Sequence, residues 1–175
     1  LAKIAKTKNI KLIHISTDFV FNGLNKKPYT ENDATSPLNI YGETKLAGEK
    51  AVMSISKSNS LIIRTGWVYS EFGNNFLKTI LNLAKKNDIL DIVSDQFGTP
   101  TYAYDLAFLI LYIITTDKFL ENNKSSEILH YSNEGKSSWY DFAKEIIGIS
   151  KMSCQLNPIG AKDYPLAAKR PNYSI

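Results

Sequence analysis

Short apolar runs, each followed by a longer stretch of helical periodicity, limit what this chain can fold into more than any other feature. Lys11-Leu12-Ile13-His14-Ile15 is the first run, and Leu61-Ile62-Ile63-Arg64 the second. Between them a helical pattern covers residues 38–56, with Ile40, Leu46 and Val52 among its apolar members; Ser36-Pro37 reads as its N-cap and first-turn proline. A second helix is predicted over 75–86, where Phe76, Ile80, Leu83 and Ala84 share a face. Runs this predominantly apolar suit strands buried on both sides, and their alternation with helices closes a mostly parallel sheet covered on both faces. The pattern continues with a short strand at 91–93, a turn at 98–101 and a helix over 104–115. A strand at 128–131, a Ser138-capped helix to 147 and an edge strand at 155–158 complete it. The later strands are shorter and the loops longer, as in a small appended lobe.

Composition narrows the function classes. The 175 residues can bury a full core, and 43% hydrophobic with 22% charged residues is a soluble globular balance. The net charge of +4 comes from dispersed lysines, which reads as a solvated surface, so no nucleic-acid partner is expected. A single cysteine, Cys154, excludes an internal disulfide and fits a reducing cytoplasm; it reads as a small apolar filler. The most apolar run, 106–114, is too short to span a membrane. Leu1-Ala2-Lys3-Ile4-Ala5 reads as the last turns of a helix begun upstream, so a fragment is expected.

Chemistry concentrates in two places. Ser16-Thr17-Asp18 closes the first strand, and Tyr41-Gly42-Glu43-Thr44-Lys45 lies on the helix after it. Residues four apart on a helix share a face, so Tyr41 and Lys45 point the same way. A phenol is a poor acid near neutral pH, and a neighbouring ammonium favours its ionised form. A strand-end hydroxyl can reach the same substrate oxygen, because open parallel sheets bind ligands at those strand ends. Together the three make a proton-delivery device whose natural partner is hydride transfer to a carbonyl. A lone Tyr-x-x-x-Lys also arises by chance on a helix surface, so the pair alone does not decide the matter.

The wider sequence is more specific. His14-Ile15-Ser16-Thr17-Asp18-Phe19-Val20-Phe21-Asn22-Gly23, Pro28-Tyr29-Thr30-Glu31, Pro37-Leu38-Asn39-Ile40-Tyr41-Gly42 and Lys45-Leu46-Ala47-Gly48-Glu49 resemble the signature segments of dTDP-4-dehydrorhamnose reductases. So do Arg64-Thr65-Gly66-Trp67-Val68-Tyr69, Gly73-Asn74-Asn75-Phe76, Asp95-Gln96-Phe97-Gly98-Thr99-Pro100-Thr101 and Arg170-Pro171-Asn172-Tyr173-Ser174. The resemblance covers nearly the whole chain, in order. It implies a Rossmann-like, doubly wound α/β fold of the extended short-chain dehydrogenase type, with residues 1–95 forming the later part of a dinucleotide-binding domain. Residues 96–175 would be mainly a substrate-binding lobe whose chain can return to the Rossmann sheet.

It also implies a reaction: NADPH or NADH reduces a dTDP-4-keto-6-deoxyhexose to dTDP-rhamnose for polysaccharide precursor synthesis. Tyr41 would donate the proton, Lys45 would hold the nicotinamide ribose, and Thr17 would hydrogen-bond the substrate oxygen. Ile15 and Ser16 would touch the cofactor, Ile15 through its backbone. Thr17, Asp18 and Trp67 would line the sugar site. For several residues a plainer reading stays open. Asp18 also suits a loop cap, Trp67 a core position, and Asn75 a helix N-cap as well as a diphosphate or sugar contact. Gln96 fits a plain turn or a pocket wall, and Arg170 a surface charge or a bidentate phosphate contact. His14 and His130 read as structural.

The chain also departs from that family. A glycine-rich pyrophosphate turn is nowhere in the sequence; in a longer parent protein it is expected before Leu1, and NADH versus NADPH stays open. Tyr104 stands where some members carry an acidic metal ligand, so no required metal is expected. Phe19 stands where many have Tyr. The competing readings are a UDP-sugar 4-ketoreductase, an epimerase or dehydratase on the same scaffold, and a non-catalytic partner such as the regulatory subunit of methionine adenosyltransferase. Oligomeric state is not legible, a homodimer being the one candidate that the resemblance brings.

Overall fold

The fully buried run Ser60–Thr65 becomes β2, the centre of a parallel sheet flanked by β1 (Leu12–Thr17) and β7 (Glu127–His130). The structure is a computed structural model that describes residues 1–25, 27–56, 60–116, 126–164 and 170–173. Side chains alternate across this sheet. Ile13, Ile15, Leu61 and Ile63 face α4 (Ala103–Thr116), packing against its Leu106, Leu109, Ile110 and Ile113. Leu12, His14, Ser16 and Arg64 face the other way, towards α1 (Ala2–Thr7) and α2 (Ile40–Ser56). Helices on both faces of a parallel sheet are the expected α/β architecture.

A second layer packs around its own core. α3 (Phe76–Ala84) and α5 (Trp139–Ser150) cover β4 (Ile89–Val93), which pairs in parallel with β9 (Gln155–Ile159). Ile80, Leu90, Ile92, Ala143, Ile146, Ile147 and Cys154 form the buried cluster, so Cys154 does serve as a small apolar filler. Two short pairs, β3 (Val68–Tyr69) with β6 (Thr101–Tyr102) and β5 (Phe97–Gly98) with β8 (Ser137–Ser138), border the layers.

Most boundaries shift by one to three residues from those read in the sequence, and three of the shifts have an identifiable cause or partner. α2 starts at Ile40, not at residue 38, because the Ser36 amide is held by the Val20 carbonyl and keeps that segment extended. Asn39 caps instead, its Oδ1 accepting from the Gly42 amide at 2.8 Å. β4 runs over Ile89–Val93, longer than the predicted 91–93, and its partner is the expected edge strand, β9. The predicted turn at 98–101 is a two-residue corner, Thr99-Pro100, between β5 and β6. Ser138 caps α5 as predicted, through a reciprocal capping box with Asp141.

Polar groups bind α2 to the sheet. Glu49 and Arg64, 1% and 3% exposed, form a two-pronged ion pair: Arg64 Nε donates to Oε1 at 2.9 Å and the Nη2 to Oε2 at 2.7 Å. Ser16 Oγ donates to the same Oε1 at 2.5 Å. The guanidinium lies 5.1 Å over the Phe21 ring, which stacks on Tyr29. The His130 ring sits 3.4 Å from Arg64 Nη1 and 3.1 Å from the Tyr29 carbonyl, and its backbone amide donates to Glu31. Gly42 completes the join, since a Cβ there would stand 2.2 Å from the Phe19 carbonyl oxygen.

Two outcomes are expected. Gly42→Ala should destabilise the fold by about 1–3 kcal/mol, because backbone rather than a flexible side chain blocks the added methyl. Urea unfolding should show a lower midpoint at unchanged slope, and an unaltered midpoint would disprove the close approach. The second concerns acid. Burial pushes the His130 and His14 imidazoles below their ordinary 6.5. Unfolded, both take up a proton as the pH falls through that value; folded, they resist it. Stability should therefore fall as the pH drops below about 6.5, and fall further below about 4.5 as Glu31, held low by the His130 amide, is protonated. Thermal unfolding across that range checks the sign.

Candidate active site

The carboxyl ends of β1 and β2 lie side by side, with Thr17 in register with Thr65. Thr17 is buried; its Oγ1 donates to Asp18 Oδ1 at 3.0 Å and accepts from the Phe19 amide at 3.2 Å, capping the 3-10 turn Asp18–Val20. The Asp18 carboxylate is buried too, against Gly66, where a Cβ would lie 2.8 Å from it. The Thr65 hydroxyl is buried without a hydrogen-bond partner among the described residues.

α2 brings the other half. Lys45 Nζ donates to the Ile15 carbonyl at 2.6 Å, which sets the ammonium against the strand end. Tyr41, one turn earlier, is half-exposed and meets the Phe19 ring edge-on at 5.6 Å. Phe19 thus touches both members, its ring against Tyr41 and its amide on Thr17. Tyr41, Lys45 and Thr17 are gathered at one end of one sheet. Ile15 and Ser16 are there as well, but α2 engages the carbonyl of the first and the hydroxyl of the second.

Trp67 follows β2 with φ of +51°, a left-handed backbone. Its indole lies flat on Trp139 at 3.4 Å between centroids, and its edge abuts Gly98, where a Cβ would fall 2.5 Å from the ring. Trp139 in turn lines a cavity of about 240 Å³ with Phe76, Leu83, Gln96, Tyr164 and Arg170. Gln96 and Arg170, distant in sequence, therefore share one hollow. The size is somewhat below the roughly 300–1,000 Å³ of pockets that enclose a drug-sized ligand, and suits part of one. Asn75 caps α3: its Oδ1 accepts from the Lys78 amide, and its Nδ2 donates to the Ser70 and Phe72 carbonyls. Among the described residues, no group of three His, Cys, Asp or Glu side chains could hold a metal ion. Nor is any helix long and apolar enough to cross a membrane.

Sequence reasoning assigned no role to Glu49, Arg64 or Trp139. Glu49 continues the Tyr41–Lys45 stripe by one more turn, and Arg64 ends an otherwise apolar strand, a place where a charge needs a buried partner. Both signals were readable. Trp139 had none, because its contact with Trp67 joins residues far apart in the chain.

Comparison with known proteins converges. The family described as RmlD substrate binding domain matches residues 1–175. A dTDP-4-dehydrorhamnose reductase of Sinorhizobium fredii is 40% identical over 98% of this chain. A crystal structure of a dTDP-4-dehydrorhamnose reductase from Clostridium acetobutylicum superposes with a TM-score of 0.91 at 41% identity, over 99% of this chain. One from Bacillus anthracis, in complex with NADP, gives 0.89 at 37%, also over 99%. The chain spans 59%, 59% and 58% of these relatives.

The indole pair offers a test that needs no ligand. The chain has two tryptophans, so an exciton couplet in the circular dichroism spectrum should arise from Trp67 and Trp139 alone. Replacing either by Phe should abolish it. A spectrum equal to that of two independent indoles would disprove the stack.

Proposed function

Because the chain belongs to the RmlD substrate-binding-domain family, we propose that it carries the proton-donating and sugar-binding part of an NAD(P)H-dependent reductase. The substrate is a nucleotide-linked 4-keto-6-deoxy sugar, with dTDP-4-dehydrorhamnose to dTDP-rhamnose as the reaction. The observation that carries this reading is the Lys45 ammonium fixed on the Ile15 carbonyl, with Tyr41 one turn away and Thr17 at the same strand end. NADP in the Bacillus anthracis relative favours NADPH. Two features fit a nicotinamide at this lip: the Thr65 hydroxyl, buried beside Thr17 with no described partner, and an ammonium with protons beyond the one given to Ile15.

A reduced nicotinamide held by Lys45 at this lip would supply a hydride to the C4 carbonyl. Tyr41 delivers its hydroxyl proton to that oxygen, and Lys45 stabilises the phenolate left behind. Thr17 turns its hydroxyl from Asp18 to the C4 oxygen, while Asp18 lines the sugar site. Trp67, backed by Trp139, forms the wall beside the sugar. Arg170 and Gln96 take the nucleotide end in the shared cavity, Arg170 by pairing with the diphosphate. Asn75 acts through the helix start it caps, whose amides suit an anion.

On this reading residues 1–95 complete a dinucleotide-binding domain, to which β7 returns, and the remainder of 96–175 is mainly substrate lobe. A soluble nucleotide sugar and a reduced cofactor fit a cytoplasmic reaction. In the protein that carries this chain, Tyr41→Phe should lower kcat by about 10²–10⁴-fold while nucleotide-sugar binding persists. A panel of dTDP- and UDP-4-keto sugars with NADPH and NADH measures it. Near-parental turnover by the variant would remove Tyr41 from this role.

A further inference from the structure

We infer that Glu49 is a positioning residue for proton delivery, acting through Ser16; this deepens the reductase reading and rests on it. Tyr41, Lys45 and Glu49 occupy successive turns of one α2 stripe. Lys45 holds the Ile15 carbonyl and Glu49 holds the Ser16 hydroxyl, so adjacent residues of β1 are gripped from adjacent turns of the helix. Thr17 is the next residue. Arg64 engages both carboxylate oxygens from β2, which ties the grip to the neighbouring strand as well. The helix bearing Tyr41 and Lys45 is thereby fixed, along its axis and in rotation, against the strand end bearing Thr17.

Stability alone does not explain this arrangement. Desolvating a carboxylate and a guanidinium is costly, and an apolar pair of similar volume often serves a core as well or better. What an apolar pair lacks is an acceptor aimed at Ser16. That hydroxyl is buried, and without the carboxylate oxygen nothing else described accepts from it. Glu49 touches neither substrate nor cofactor in this scheme. It acts by keeping Thr17 and Tyr41 at a fixed separation, and displacements near 1 Å at a reacting centre can cost about a hundredfold in rate.

The test uses the full protein carrying this chain, in three forms. Ser16→Ala removes the donor. Glu49→Met with Arg64→Met keeps a filled, uncharged core but no acceptor, and Glu49→Gln with Arg64→Met restores an amide oxygen for Ser16. The first two should lose about ten- to a hundredfold in kcat with KM for the nucleotide sugar within about twofold, and the third should recover most of it. Amide exchange at Phe19, whose N–H donates to Thr17 Oγ1, gives a readout independent of turnover. It should quicken in the first two forms and not in the third. Parental kcat and unchanged Phe19 exchange in the Met/Met form, or losses that merely follow its unfolding midpoint, would overturn the proposal. An inactive parent whose Phe19 exchange still follows this order would instead overturn the reductase reading and leave the clamp standing.

Discussion

The charge pair between Glu49 and Arg64 sets the frame for everything around it. Neither ion could sit in this interior alone, since an unpaired buried charge costs several kcal/mol. The helix and the central strand must therefore meet at the one register that brings the two together. Ser16 reads that register out to β1, and Lys45 repeats the contact one turn nearer the strand end. The close approach of Gly42 to the Phe19 carbonyl closes the series at the first turn of α2. Hydrophobic packing holds α2 on the sheet, but these directional contacts decide where along the sheet it stops.

The α/β alternation was legible because it rests on local patterns. Apolar runs and a 3.6-residue period survive in any tertiary context. The Tyr41–Lys45 pair was legible for the same reason, since helical spacing alone aligns it. Caps were less secure. Ser36-Pro37 has the chemistry of a helix start, yet the Ser36 amide is bound by Val20, sixteen residues back, and Asn39 takes over. Asn75 and Ser138, whose side-chain partners are all local, cap as their residue types suggest.

What the sequence hid is long-range. Gln96 and Arg170 share a cavity only because residues near the end of the described chain fold back on β5, where Phe97 bridges to Tyr173. Trp139 meets Trp67 only because α5 packs beside β5 through β8. No periodicity records such meetings. The glycines do so indirectly: Gly42, Gly66 and Gly98 each stand where a methyl group would strike backbone, carboxylate or indole.

The strain at Trp67 shows why those meetings matter. A bulky residue with left-handed backbone costs about 1–3 kcal/mol, so the surroundings must hold it there. Stacking on Trp139 returns about 0.5–1.5 kcal/mol beyond area burial, and the Thr101 amide bound to the Trp67 carbonyl at 3.1 Å adds a similar amount. The balance is close, and it holds only while Gly98 leaves the ring edge room. The same indole pair joins the strand-end chemistry to the cavity of Gln96 and Arg170, because Trp67 follows Gly66 at the Asp18 carboxylate and Trp139 lines the hollow. A conformation that the backbone would otherwise avoid is what lets one aromatic wall run from the strand end to that cavity.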